Sequence, residues 1–518
     1  MSDSTQPLPN SSSLPSRNDA GAARPVVIVI FGASGDLTQR KLAPALHTLA
    51  SQGLLPERYA VLGVARSPLS DEAFRAQLHE GVAAHGRIKP DQRLPWESFA
   101  RNLSYLAIGY ENGDSYHLLA QRLAELSAEL GSDNYLFYLS TPPQLYQPIV
   151  AQLGAVGLAQ SETGWRRIVI EKPFGHDLSS ARALNAAVHQ VFGEDQIYRI
   201  DHYLGKETVQ NILMLRFANA VFEPLWNRRY VDHVQITAAE SIGLEHRAGY
   251  FEEAGLLRDM FQNHLFMMLA LTALEPPVSF AADSVRDEIV KVLRAVRPFT
   301  AEDLRGALVR GQYAAGEVGG KAVPAYRAEK GVAPESRTET YVAAKLGIDN
   351  WRWKGVPFYL RAGKRLPRRV SEIAIAFKSV PHSIFIPLLP EHLSPNVLVL
   401  NVQPDEGVAL TIQAKQPGAK LCVGDLTMRF NYREVFGGEP PDAYERLLLD
   451  CMLGDQTLFL RQDAIEVSWS LLDPVLDAWS RGGEEERAGA LHSYRAGTWG
   501  PEEAEALLGR DGRQWREP

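Results

Sequence analysis

Three short stretches of this sequence gather side chains suited to holding a phosphorylated ligand and moving a proton. The first is Arg199-Ile200-Asp201-His202-Tyr203-Leu204-Gly205-Lys206-Glu207, where a carboxylate, an imidazole, a phenol and an ammonium crowd together. If the chain is helical from Tyr203 onward, His202 and Lys206 stand four apart and face one ligand. An imidazole N–H beside an ammonium suits a dianionic phosphate ester; the competing reading is a solvated charged face. The second stretch, Gly255-Leu256-Leu257-Arg258-Asp259-Met260-Phe261-Gln262-Asn263-His264-Leu265, lies in a run expected to be helical and apolar over 256–274. Polar groups buried on such a helix need partners. In an ideal α-helix Asp259 and His264 diverge by about 140°, so a carboxylate orienting His264 is expected from elsewhere, with Asp201 the candidate. The alternative is a histidine satisfied in the core. The third stretch, Glu171-Lys172-Pro173-Phe174-Gly175, follows an apolar strand, and ligands of open α/β sheets bind beyond such ends. There Lys172 can serve a cofactor, a substrate or both, and its bond to Pro173 is open to either isomer.

A fourth motif points to a nucleotide. Gly32-Ala33-Ser34-Gly35-Asp36-Leu37 follows six apolar residues, VVIVIF, without alternation. Such a strand is buried on both faces, as in a parallel sheet. A glycine turn opening a helix offers backbone N–H groups and a positive dipole end to phosphates. The spacing is G-x-x-G, weaker by itself than the longer dinucleotide fingerprint. A second strand at 59–64 ends in Gly63-Val64-Ala65-Arg66, with no carboxylate for ribose hydroxyls. Arg66 there fits a 2′-phosphate and hence NADP, or is a solvated surface arginine.

The elements that position these motifs change character along the chain. Strands at 26–31, 59–64, 134–140 and 167–170 alternate with helical stretches near 40–50, 71–85, 116–130 and 179–191, the pattern of a doubly wound parallel sheet. Past about residue 205, strands at 231–240, 358–361, 372–377, 397–402, 408–414 and 426–430 follow with few helices between, so antiparallel pairing is expected. Further helices are expected at 443–453 and 469–479. The expected fold class is therefore α/β followed by α+β, with a Rossmann-like NADP-binding domain at 25–202 and a larger substrate and oligomerisation domain at 203–518. Residues 1–24 read as a disordered tail, and 482–486 and the last twenty residues as peripheral.

Composition narrows the function classes. With 518 residues, 45% hydrophobic and 22% charged, the chain is an ordinary globular one. A net charge of −8 argues against nucleic-acid binding. No apolar run reaches the ~18 residues of a membrane span, and the tail lacks a signal peptide's hydrophobic region. The two cysteines, Cys422 and Cys451, form neither a disulfide framework nor a metal-ligand spacing, and read as buried free thiols of a cytoplasmic protein.

Taken together, FGASGDLTQRKLAPAL (31–46), EKPFGHDL (171–178), RIDHYLGKETVQN (199–211), LRFAN (215–219), AGLLRDMFQNHL (254–265), RAGKRL (361–366) and AYERLLLD (443–450) resemble the glucose-6-phosphate dehydrogenases of bacterial type. The resemblance covers about residues 25 to 500, and RIDHYLGKE is its most specific part. It implies oxidation of glucose 6-phosphate at C1 to the 1,5-lactone with hydride transfer to NADP+, the entry step of the pentose phosphate pathway, without a metal. It implies that Gly32, Ala33, Ser34, Gly35, Asp36 and Leu37 line the diphosphate site, that Arg66 binds the 2′-phosphate, and that Tyr146 lies near the nicotinamide. Lys172 would touch cofactor and sugar. His202, Tyr203 and Lys206 would grip the 6-phosphate. Glu240, Asp259, Lys364 and Arg369 would reach the sugar. His264 would be the base, oriented by Asp201, with Lys41 in support. A homodimer or homotetramer is implied. The pattern departs at Glu245-His246-Arg247-Ala248-Gly249-Tyr250 and at Met267-Met268. Two other functions remain open: a catalytically silent NADP-binding regulator, and a dehydrogenase of another hexose 6-phosphate.

Overall fold

All six residues of strand β1 (Val26–Phe31) are buried, and so are all seven of β2 (Tyr59–Ala65). Neither alternates, because helices cover both faces of a parallel sheet. The computed structural model describes residues 23–88, 93–245, 247–300, 302–385, 393–418, 422–437, 441–481 and 490–518. Nearly all of the tail expected at 1–24, the stretch 482–486 and His246 lie outside the described residues.

The chain divides into two compact units. The first runs up to Ile170 and takes in Val188–Tyr198 and Tyr444–Gln456. Its sheet adds β3 (Leu103–Ala107), β4 (Tyr135–Leu139), β5 (Arg166–Ile170) and β6 (Ile197–Ile200) in the order β6-β5-β4-β1-β2-β3. Pairing is parallel from β5 through β3. Helices Asp71–His85 and Gly113–Leu130 connect strands on this sheet. Ser70 caps the former, accepting from Ala73 N–H at 3.2 Å, with Asp71 and Glu72 in the first turn. The sequence reading missed β3, an edge strand buried only at its first two residues and thus without an apolar run.

The second unit comprises Glu171–Ala187, Arg199–Ala443 and Thr457–Pro518. Its strands are β7 (Val231–Ala239), β8 (Leu308–Ala314), the hairpin pair β9 (Gly316–Val318) and β10 (Lys321–Val323), β11 (Tyr341–Gly347), β12 (Pro357–Gly363), β13 (Val370–Phe377), β14 (Val397–Gln403), β15 (Gly407–Lys415), β16 (Val423–Asn431), β17 (Phe459–Leu460) and β18 (Leu491–Arg495). Among the described residues nine form one sheet, β16-β15-β14-β13-β7-β12-β11-β8-β18. It is mainly antiparallel, with β7/β12 and β8/β18 parallel. β17 pairs with the end of β6.

Four expectations are corrected. Helix Ala282–Ala295 was not foreseen; its charged residues mask an apolar stripe of Val285, Ile289, Val290 and Leu293. The last twenty residues are not peripheral. Trp515 is buried, helix Glu502–Gly509 buries Ala504, Leu507 and Leu508, and Arg516 binds the buried Glu372 at 2.6 Å. Their polarity misleads because the charges are paired. Cys451 is buried but Cys422 is exposed, just ahead of edge strand β16; both are free. The helix expected over 256–274 is in fact Ala248–Leu256, a π-helical Leu257–Leu265 and Phe266–Ala273, broken at Gly255 (φ 65°). Among the described residues no helix is long and apolar enough to cross a membrane.

Candidate active site

Residue pairing in the second unit's sheet brings three of the singled-out side chains to one end. Parallel strands β7 and β12 are in register at Ala239 and Gly363, so Glu240 and Lys364 leave the sheet side by side. Their side chains pair at 2.5 Å, and Lys364 Nζ sits 4.9 Å from the centre of the Phe251 ring. Strand β13 runs antiparallel to β7 with Val370 opposite Ala239, which puts Arg369 at the same end. Arg369 donates to Gln403 Oε1 at 3.1 Å. Gln403 Nε2 in turn donates to Tyr203 Oη at 3.1 Å and to Ser371 Oγ at 2.9 Å, and Tyr203 Oη lies 3.1 Å from Ser371 Oγ.

The π-helical turn supplies the centre. A π-helix bonds i to i+5, so residues five apart, divergent on an α-helix, come nearly into line. Asp259 and His264 therefore share a face, contrary to the sequence expectation. They still do not bond to each other: Lys172 bridges them. Its Nζ donates to Asp259 Oδ1 at 3.0 Å, to the Asp259 main-chain oxygen at 3.2 Å and to His264 Nε2 at 3.1 Å. The Lys172–Pro173 bond is cis. On the other ring edge His264 Nδ1–H donates to Asp201 Oδ1 at 2.5 Å. Asp201 Oδ1 also accepts from Tyr203 N–H at 2.9 Å. The carboxylate thus holds the proton on Nδ1 and leaves the Nε2 lone pair as acceptor.

The ring is enclosed by His202 at 4.6 Å, edge-on, and by Tyr203 stacked at 4.3 Å. Tyr203 onward is not helical. A turn follows Asp201, Lys206 has extended backbone, and the helix starts at Glu207. His202 and Lys206 therefore do not share a helix face, although the Lys206 charge still acts on His202.

Burial and charge set the ionisation. Burial lowers His264 below its ordinary value, and Asp201 only partly offsets this. His202 is pushed well down by burial and then by the charges of His264 and Lys172. Burial works against the Lys172 ammonium, yet Asp259 outweighs it and raises Lys172 above its usual range. The same pairing overcomes burial at Asp259 and holds it well below the usual carboxylate range. Tyr203 is pushed up to about 12, chiefly by burial. The resting site is two neutral imidazoles among paired ions. Asp201, His202 and His264 each offer a ligand atom within 4.8 Å of one another, but the Lys172 ammonium beside His264 repels a cation.

Sequence reading missed Tyr250, Ser371 and Gln403. Tyr250 donates to Asp259 Oδ1 at 3.3 Å. Its place in the segment that departs from the bacterial pattern was the available signal. Ser371 and Gln403 join only through the β13/β14 pairing, where the two are in register.

In the first unit, Gly32 through Leu37 turn from β1 into a helix. Gly32 has φ 81°, and a Cβ there would lie 2.1 Å from the Ser140 carbonyl oxygen. Gln39 and Gln77 side chains both donate to the Ser34 carbonyl. First-turn N–H groups of the following helix have no intrahelical acceptor and suit an anion. Phe31 is in register with Val64, so exposed Arg66 lies at the same end of the adjacent strand. Tyr146 is buried at the start of helix Tyr146–Ala155, and Lys41 is exposed. A glycine turn, a helix start and a neighbouring guanidinium fit a dinucleotide carrying a 2′-phosphate.

Family profiles decide the relationship. "Glucose-6-phosphate dehydrogenase, NAD binding domain" matches residues 29–211, and "Glucose-6-phosphate dehydrogenase, C-terminal domain" matches 213–516. The chain belongs to the glucose-6-phosphate dehydrogenase family. A glucose-6-phosphate 1-dehydrogenase of Aggregatibacter actinomycetemcomitans is 50% identical over 95% of this chain and 97% of its own. A solved glucose-6-phosphate dehydrogenase in complex with its substrate glucose-6-phosphate is 36% identical, with a TM-score of 0.85 over 95% of this chain and 99% of that one. The crystal structure of glucose-6-phosphate 1-dehydrogenase from Mycobacterium avium is 38% identical, with a TM-score of 0.79 over 95% and 99%. The motif resemblance and the expected fold class, an NAD(P)-binding domain followed by a mainly antiparallel domain, both hold for this glucose-6-phosphate dehydrogenase family member.

Proposed function

We propose that this chain oxidises D-glucose 6-phosphate at C1 to 6-phospho-D-glucono-1,5-lactone, using NADP+. The observation that carries the reading is the continuous relay Asp201–His264–Lys172–Asp259, with contacts of 2.5, 3.1 and 3.0 Å. The C1 hydroxyl replaces Lys172 at His264 Nε2 and gives its proton to that nitrogen. Asp201 stabilises the imidazolium that forms. C1 then loses its hydrogen with both electrons as hydride, and the C1–O1 double bond forms. Bound NADP+ supplies the hydride acceptor, held by Gly32 to Leu37 and, at its 2′-phosphate, by Arg66.

The remaining residues bind and orient. His202, Tyr203 and Lys206 take the 6-phosphate, whose remote binding energy helps align C1. Lys172, Asp259, Glu240, Lys364 and Arg369 take the sugar hydroxyls. Lys172 also reaches the cofactor, and Tyr146 belongs to the nicotinamide half of its site. The first compact unit would carry the cofactor function, and the second, which includes Lys172, Asp201 and His202, the substrate and oligomerisation functions. A homodimer or homotetramer is supported by the half-exposed Leu426 and Met428 on β16. A cytoplasmic location is supported by the exposed free thiol of Cys422.

The test is absorbance at the reduced-nicotinamide band with NADP+ and a panel of hexose 6-phosphates. Glucose 6-phosphate should give the highest kcat/KM. A higher value with another sugar would make the chain that sugar's dehydrogenase, and no reduction with any would leave a silent NADP-binding regulator.

A further inference from the structure

The π-helical segment that carries Asp259 and His264 begins immediately after a break. Gly255 has φ 65° and ψ 174°, outside any helix. The helix that restarts there exposes new first-turn N–H groups, which need acceptors. One residue far away in sequence supplies both. The main-chain oxygen of Glu339 accepts from Leu256 N–H at 3.2 Å, and its side-chain Oε1 accepts from Leu257 N–H at 3.0 Å. A Cβ at position 255 would lie 2.5 Å from that same Oε1, so only glycine leaves the carboxylate its seat.

Glu339 is itself buried, 7% exposed, just before β11. The next residue reaches a second part of the site. Thr340 main-chain oxygen accepts from Lys364 N–H at 2.9 Å. Tyr494 Oη donates to the Lys364 main-chain oxygen at 2.7 Å and lies 3.2 Å from that of Thr340. Thr340 Oγ1 in addition accepts from Tyr313 N–H at 3.0 Å. A single dipeptide therefore grips the start of the helix bearing Asp259 and His264 on one side and the backbone of Lys364 on the other.

We propose that Glu339 is a positioning residue: with Thr340 it clamps the restarted helix to the Lys364 loop and so fixes where His264 and Asp259 stand relative to Lys364. The function is one of reach. Oε1 must extend to the Leu257 N–H, and the helix is held in the phase that brings Asp259 and His264 to Lys172. Glu339 touches neither sugar nor nucleotide. Its effect passes through the helix, and a misplacement near 1 Å at a reacting group can cost about 100-fold in rate.

This inference rests on reading His264 as the base, so His264→Asn is run as a parallel control. Glu339→Gln keeps the reach and the acceptor oxygen; Glu339→Asp keeps the charge but withdraws the oxygen by one methylene; Glu339→Ala removes it. Each is assayed with glucose 6-phosphate and NADP+, as rate per folded molecule, folded fraction being read by circular dichroism. The Asp and Ala variants should lose about 10- to 100-fold in kcat, with KM for NADP+ unchanged. The isotope effect with C1-deuterated substrate should rise as the chemical step becomes limiting. The Gln variant should recover most of the rate. A lost fold would not raise the isotope effect of the molecules that remain. An Asp variant at full rate, or a Gln variant as slow as Ala, overturns the proposal. If the Ala variant does not fold, the Gln and Asp pair decides. If His264→Asn retains activity, the base assignment has failed; if it is inactive while all Glu339 variants run at full rate, only the clamp has failed.

Discussion

Replacing Asp201 by asparagine removes one unit of charge and almost no volume. Asp201 Oδ1 accepts from both His264 Nδ1–H and Tyr203 N–H. The Tyr203 contact keeps an oxygen at that corner and opposes rotation that would turn the NH2 toward the ring. The tautomer therefore stays, and what is lost is the charge that stabilises the imidazolium. For unit charges about 4 Å apart at an effective dielectric near 20, that is about 4 kcal/mol. At about 1.4 kcal/mol per tenfold, kcat should fall by about 1000-fold. The pH profile provides a second reading. Asp201 raises the pKa of His264 against the stronger lowering effect of burial, so removing its charge lowers that pKa further. His264 accepts the proton only when unprotonated, and activity is lost as pH falls through its pKa. The acid limb of kcat should therefore move to lower pH while the plateau drops. The new amide nitrogen would occupy the position of Oδ2, which has no hydrogen-bond partner among the described residues, so some stability is lost as well. Rates must be taken per folded molecule. A plateau within tenfold of the parent, or an acid limb that stays or moves to higher pH, would refute the electrostatic argument.

Arg66→Ala should weaken NADP+ by about 10- to 100-fold, as expected for a hydrogen bond to a charged group, and leave NAD+ nearly unchanged; equal losses in KM for the two nucleotides would remove Arg66 from the 2′-phosphate. Gly32→Ala would force a left-handed φ on a residue with a Cβ and drive that Cβ against the Ser140 carbonyl oxygen. Thermal unfolding should show a loss of at least ~1–3 kcal/mol, together with a raised KM for NADP+; an unchanged Tm would mean the turn has more room than its geometry implies.

Local signals were legible and pairings at a distance were not. β1 and β2 could be read because burial on both faces leaves an unbroken apolar string. The RIDHYLGKE stretch could be read because it crowds a carboxylate, an imidazole, a phenol and an ammonium into nine residues. The phase of the Asp259–His264 turn could not. Five residues of ideal α-helix set two side chains about 140° apart, whereas the chain adopts a wider turn after Gly255. Nothing in the sequence marks Glu339, since burial of an acid appears only once Leu256 and Leu257 are placed against it. Glu240 and Lys364 stand 124 positions apart and meet through one parallel register. Helix Ala282–Ala295 and the C-terminal segment hide for the same reason in reverse: their charges suggest solvent, but Arg286 is buried and Arg516 is paired with the buried Glu372 of β13.

Pairing of ions in the site also bears on how a neutral sugar ring displaces so much charge. Lys172 rests on Asp259, and Lys364 rests on Glu240. Leaving any one of these buried charges unpaired would be costly. A sugar hydroxyl can accept from an ammonium through oxygen and donate to a carboxylate through hydrogen, so it can enter between the two without stranding either. An analogue lacking a hydroxyl cannot. Discrimination among hexose 6-phosphates then follows from the penalty for leaving an ion half satisfied more than from shape, as in sites built to bond a substrate hydroxyl. His264, the proposed base, is subject to the same logic. Its Nε2 is kept occupied by Lys172 until a hydroxyl arrives, and the ammonium that gives way retains Asp259 as its partner. In the proposed reaction, proton transfer to His264 would place a second positive charge beside Lys172, and the buried carboxylate of Asp201 on the far edge of the ring would offset it.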